Sequence, residues 1–462
     1  MLPLCALALV FTSRSVTVSA APPQTIFVVN ANDLGPGSFR HAIDLANTNA
    51  AIKRVQFLRK FTVALQHTVY FNGLQDLTIE GLFSTLDAAG AGGDAFVANS
   101  AGNLTVSNLT VRKATGEGLE VQVPPGSIGT VRVALFNVAI ENNLGHGVLV
   151  NDQTDPGDTS NQNGSDASVD VVILGSRFEG NGFSAVDRDG LRVNEGGIGD
   201  LSIAIKFSTA KANGADGIEV DERGDGNVRV EMFGSGVHGN GSFTSADFDD
   251  GFDIDEQGAG DVLGHVFFSS ANDNFEEGFD FNENDGGDLR VDMLLVEASR
   301  NSEEGIDFEE DDEVDNTGSG GGDLVTKMDL VKANGNKGGD AGVKIRERGD
   351  GSVDATLRNI ETSNNLTRGI QVSERHPGNL VSSVTRATSL ANTNHGIDFD
   401  EENDGDVTAA VADSNASNNG VAAGVAGVRA DEANAGGGTA TLTNVTLTGN
   451  TEPDGTAGSL LP

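Results

Sequence analysis

A single cysteine, Cys5, excludes disulfide stapling and thiolate metal sites. Tryptophan is absent and the only tyrosine is Tyr70, so no aromatic platform for a sugar ring is evident. Basic residues are scarce: 29 Lys and Arg stand against 69 Asp and Glu, a net charge of −40 over 462 residues. Such a chain does not suit nucleic acid or an anionic membrane as a partner. It suits cations, basic partners or a high-salt habitat. No apolar run is long enough to span a bilayer. The run Leu2–Phe11 followed by Val18-Ser19-Ala20 reads instead as a signal peptide over residues 1–20, and predicts a secreted or cell-surface protein. No C-terminal barrel, hydrophobic tail or sorting motif is visible, and no transmembrane anchor is expected.

What is abundant is repetition. Units open on Gly at GLRVNE (190), GIEVDE (217), GFDIDE (251), GFDFNE (278), GIDFEE (305), GVKIRE (342), GIQVSE (369), GIDFDE (396) and GVRADE (427). The steps 190→217, 251→278, 278→305, 342→369 and 369→396 are 27 residues, and the longer steps contain insertions. A fixed period in this range is the signature of a stacked repeat.

Within the unit opened by Gly217, Ile218 and Val220 alternate with Glu219 and Asp221, which predicts a strand with one buried face. The turn RGDGN follows, then a second strand carrying Val228, Val230 and Met232, then a short third strand near Val237 ending at Asn240. Three strands and three turns close one coil, which buries its apolar face only by stacking on its neighbours. Insertions fall at two corners, after the first strand and after the asparagine, so loops are expected to wall the first strand's face.

A column of Asn213, Asn240, Asn274, Asn301, Asn365, Asn392, Asn419 and Asn450 recurs 23 residues after the opening Gly, with Asn143, Asn181 and Asn334 joining it across insertions. Asn tolerates the left-handed backbone of a tight corner, and its amides can bond along a stack. This pattern resembles the asparagine ladder of right-handed parallel β-helices of the pectate-lyase-like superfamily, over roughly residues 70–455. The expected fold is therefore all-β, a right-handed parallel β-helix of about 27 residues per coil with an N-terminal capping helix.

The cap is read from NANDLGPGSFRHAIDLANTN, residues 30–49, where Ser38 is a candidate N-cap and Phe39, Ala42, Ile43 and Ala46 share a helical face. The segment resembles the N-terminal motif of exported β-helix proteins of the polymorphic outer-membrane type, which implies a covered first coil rather than a site. The chain divides into a signal peptide (1–20), cap and first strands (21–69), the β-helix (70–455) and a tail (456–462).

Three constellations could carry chemistry. Outward on the first strands stand Glu219 and Asp221, Asp253 and Asp255, Asp280 with Asn282, and Asp307 and Glu309. Carboxylates two apart on a strand lie about 7 Å apart, and neighbouring coils about 4.8 Å. Their repulsion would be relieved by hard cations with oxygen ligands, Ca²⁺ in particular, and the alternative is a solvated face. A second column, Asp152, Glu195, Glu222, Glu256, Glu283, Glu310, Glu347, Glu374, Glu401 and Glu432, recurs in every unit and is expected to accept N–H groups of the Gly-rich turn, the alternative being shared cations. The third constellation lies outward on the second strands: Glu231, His265, Asp292 and Lys327, flanked by Arg229 and Arg290. It could supply base, acid and uronate clamp in polysaccharide cleavage, or be a self-neutralising charge ladder. Gly145-His146-Gly147 resembles a polygalacturonase motif but lacks the carboxylates expected before it.

These readings favour an exported protein with a structural or adhesive binding role, its acidic face holding divalent cations and its partner a polysaccharide or a cell-surface protein. The alternative is a lyase or hydrolase acting on an acidic polysaccharide.

Overall fold

The computed structural model describes residues 23–461 except 154–162, 245–247, 312–320, 434–435 and 453–454. The signal-peptide reading lies outside these residues. The chain is a parallel β-helix of about fifteen turns. In the unit that opens at Gly217 the three strands are Ile218–Glu222, Val228–Phe233 and Gly236–His238. Each pairs in parallel with its counterpart in the next coil, Ile218 with Phe252, Val228 with Val262 and Gly236 with Ser270. The first strands stack into a fourteen-stranded sheet.

The core is the interior of this stack. Leu191, Ile218, Phe252, Phe279, Ile306, Val343, Ile370, Ile397 and Val428 form one fully buried column, as the alternation predicts. Phe252, Phe279, Phe281 and Phe308 meet edge to face along it, with centroids 5.4–6.2 Å apart. The one helix among the described residues, Phe39–Thr48, is N-capped by Ser38, whose hydroxyl accepts the His41 N–H at 3.2 Å. It buries Phe39, Ala42, Ile43 and Ala46 against the first strands, with Phe39 touching the rings of Phe57 and Phe96.

The asparagine ladder runs from Asn143 through Asn181, Asn213, Asn240, Asn274, Asn301, Asn336, Asn365 and Asn392 to Asn419 and Asn450. At each step a backbone N–H donates to the Oδ1 of the next asparagine, at 3.0 Å from Asn301 to Asn336. Two expectations are corrected. The rung in the coil that opens at Gly305 is Asn336, not Asn334. Asn334 instead donates its N–H to Ser299 Oγ at 3.2 Å. The left-handed residue is also not the asparagine. It is the residue before it, as at Ala212, Gly239, Asp273, Arg300 and Gly335, where φ runs from +52° to +70°. The ladder asparagines are selected for their hydrogen bonds.

Candidate functional site: an acidic face covered from solvent

The first-strand face is not the solvated surface that alternation alone suggests. Glu219, Asp221 and Asp307 are buried, and Asp253, Asp255, Asp280 and Glu309 are half-buried. The register is as expected: Glu219, Asp253, Asp280 and Asp307 are paired neighbours, and so are Asp221, Asp255, Asn282 and Glu309.

Cations occupy both ends of this row. Arg192, one coil before, lies 2.7 Å from Glu219 and 2.7 Å from Asp221, and Arg223 lies 3.1 Å from Asp221. Lys344, one coil after, lies 2.6 Å from Asp307 and also pairs with Glu309, which Arg346 and Arg348 approach at 3.5 and 3.6 Å. Four of the seven proposed ligands therefore have cationic protein partners. No Lys, Arg or His among the described residues pairs with Asp253, Asp255 or Asp280 in the middle.

A third carboxylate column enters the same space and escapes a reading of strand alternation. The residue immediately before the opening Gly is Asp189, Asp216, Asp250, Glu277 and Glu304 in the five units from Gly190 to Gly305. Asp216 N–H donates to Asp189 Oδ1 at 3.0 Å, and Glu277 N–H to Asp250 Oδ1 at 2.6 Å. The signal was available as the recurrent Asp-Gly and Glu-Gly pairs, which read more simply as turns.

One oxygen from each of Asp250, Asp253 and Asp280 lies within 4.8 Å of the others, and Asp216, Glu219 and Asp253 form a similar group. The buried Oδ1 atoms of Asp253 and Asp280 have no hydrogen-bond donor. Burial, followed by repulsion from the neighbouring carboxylates, pushes Asp250, Asp253 and Asp280 well above the usual carboxylate range. Asp255 is pushed up to about 6 by burial and then Asp221, against a bond from Asn282. At Asp307 burial and Glu309 outweigh Lys344 and hold the carboxyl at about 8. A cluster of this chemistry is destabilised unless protons or cations enter it, and its all-oxygen donor set fits a hard cation.

The second-strand constellation is in register, Glu231 beside His265, Asp292 and Lys327 on successive coils. Several of its members have charged neighbours: Lys206 and Arg229 lie 3.2 and 3.8 Å from Glu231, His265 Nδ1 lies 3.8 Å from Asp292, and Arg290 pairs with Asp288, while Lys327 has no ion pair among the described residues. An open depression of about 490 Å³ on this face is lined by Thr130, Asp170, Asp200, Asp261 and Arg229, but not by His265 or Asp292. The pairs at Glu231 and Arg290 fit the self-neutralising reading, and we assign the constellation no reaction. Exposed aromatics do occur, contrary to expectation, as the phenylalanines Phe207, Phe233 and Phe268 at the neighbouring corner. His146 is structural, because its Nδ1 accepts the Asp189 N–H at 3.0 Å, as His395 Nδ1 accepts the Ala426 N–H.

No family model matches the sequence, and no curated protein matches it. Among solved structures the chain is similar to the pectate lyase Pel9A, at 19% identity over 68% of this chain and 76% of that one, with a TM-score of 0.45. It is also similar to the Dettilon tailspike protein, at 12% identity and a TM-score of 0.35, covering 86% of this chain and 64% of that one.

Proposed function

We propose that the chain is an exported β-helix with a structural or adhesive binding role, whose acidic first-strand face holds a divalent cation between Asp250, Asp253 and Asp280. The observation that supports this is the gap in cation supply: Arg192 and Lys344 serve the two ends of the row, and the three central carboxylates converge within 4.8 Å without one. Oxygen-only ligands favour Ca²⁺ over softer ions. The cation ties neighbouring coils together, and the long solenoid surface offers a polysaccharide or a cell-surface protein an extended contact. Calorimetric titration of Ca²⁺ into the chelator-treated protein tests the site. Saturable binding is expected in the natural sequence and not in the Asp253→Asn/Asp280→Asn variant. Equal heats in the two, or none in either, would remove the cation from this reading.

A further inference from the structure

The glutamate column is buried more completely than the acidic face. Glu195, Glu222, Glu256, Glu283, Glu310, Glu347, Glu374 and Glu401 are all 0% exposed. As expected, one oxygen of each accepts from the turn that follows, for example Gly224 N–H on Glu222 at 2.9 Å, Gly287 N–H on Glu283 at 2.9 Å and Asn403 N–H on Glu401 at 2.8 Å. The second oxygen is left unexplained by that role. The Oε2 atoms of Glu222, Glu256, Glu283, Glu310, Glu347, Glu374 and Glu401 are buried and receive no donor. Successive rungs are one coil apart, about 4.8 Å, and their carboxyls come within hydrogen-bond reach of each other. The turns close the column off from water. At Gly351 and Gly378 an added Cβ would lie 1.7 Å from the carbonyl oxygen of the coil before.

A row of ionised carboxylates in such a place would carry both the desolvation cost and mutual repulsion. We propose that the rungs Glu347, Glu374 and Glu401, which lie away from the candidate cation ligands, form a ladder of neutral carboxylic acids, each donating its proton from the second oxygen to the carboxyl of a neighbouring rung, so that the folded protein binds protons at neutral pH that the unfolded chain releases.

The rungs Glu347, Glu374 and Glu401 isolate this effect from the cation site. The groups acting on Glu347 are Glu310, Glu374 and the N–H groups of Gly349 and Gly351. Those on Glu374 are Glu347, Glu401 and the His376 N–H, and those on Glu401 are Glu374, Glu432 and the N–H groups of Asn403 and Gly405. The nearby cations are engaged elsewhere: Arg346 with Asp340, Arg348 with Asp311 at 2.7 Å, Arg375 with Glu402 at 3.8 Å and Arg429 with Asp398 at 3.0 Å. Burial, then the adjacent glutamates, pushes Glu347 up to about 11. Burial also leads at Glu374, which reaches about 8, and at Glu401, which is raised. A folded-state value above the unfolded one means stability that is complete below about pH 4.5 and is lost as pH rises through the folded value. The loss here extends across the neutral range and into the alkaline.

The test is proton release on unfolding at pH 7, measured with an indicator dye in weak buffer as urea unfolds the protein. The natural sequence should release about two to three more protons than Glu347→Gln/Glu374→Gln/Glu401→Gln, which keeps donor and acceptor at each rung but cannot titrate. Infrared spectra of the folded protein at the same pH should show a protonated-carboxyl C=O band that weakens in the variant. If the triple variant does not fold, Glu374→Gln alone should release about one proton fewer and weaken the band. Equal release by variant and natural sequence, or no protonated-carboxyl band at pH 7, would overturn the ladder and leave the rungs ionised around bound cations.

Discussion

Single positions show which chemistry the repeat selects. Each ladder asparagine is fully used: Asn301 donates its N–H to Asn336, donates its Nδ2 to Ala271 O at 3.2 Å, and accepts from Asn274 at 3.0 and 3.2 Å. Asn336 plays the same role in the following coil, whereas Asn334 is off the ladder. Asn336→Leu should therefore cost about 2–4 kcal/mol, since it removes several buried bonds and strands their partners, and Asn334→Leu clearly less. Urea unfolding of the two variants decides between the positions. The misassignment has a definite origin. Counting from the opening Gly runs through the insertion at 311–322, but counting six residues from the left-handed corner gives Asn213 from Phe207, Asn274 from Phe268, Asn301 from Leu295 and Asn336 from Leu330. That corner was not legible because Phe207, Phe268, Leu295, Leu330 and Arg386 share it with Gly, Asn and Asp. Exposed bulky residues with positive φ, such as Leu330 at +58°, pay for a conformation that Gly and Asn adopt more readily. Leu330→Asn, which copies Asn359 in the next coil, should raise stability by roughly 0.5–1 kcal/mol, read as a higher urea midpoint.

At the scale of the strand, alternation correctly separated the buried column from the outward carboxylates but could not say what covers the outward side. The ends of the acidic row depend on cations from adjacent coils, a relation that appears only when the coils are stacked. Burial would lower Lys344, but Asp307 and Glu309 raise it, so it stays charged. Arg192→Met should cost about 3–5 kcal/mol because it leaves Glu219 buried without its cation and Asp221 with Arg223 alone. Added Ca²⁺ should recover more stability in this variant than in the natural sequence, because it opens a second place short of positive charge. A thermal shift no larger in Arg192→Met than in the parent would show that the ends and the centre of the row do not share one electrostatic environment. The glutamate column, by contrast, was readable as a turn acceptor from its spacing alone. Its second oxygen was not, since a sequence places a residue but not the donor it lacks.

For the whole molecule, the period, the three-strand coil and the long single core were all present in the sequence, because each coil repeats the same burial problem. The site was half present: the acidic strands were visible, and the carboxylates before the opening Gly of the units from Gly190 to Gly305 were not. A net charge of −40 over one rod predicts general stabilisation by NaCl, through screening over a Debye length of about 10 Å at 0.1 M. A site-bound cation adds a term that screening cannot supply, about 2.7 kcal/mol at a hundredfold excess over its Kd. The central claim is therefore tested most directly by melting the natural protein and Asp253→Asn/Asp280→Asn in millimolar CaCl₂ and in NaCl of matched ionic strength. The account predicts a higher Tm in CaCl₂ for the natural protein and a difference that largely disappears in the variant. Superimposable melting curves of the natural protein in the two salts would contradict it.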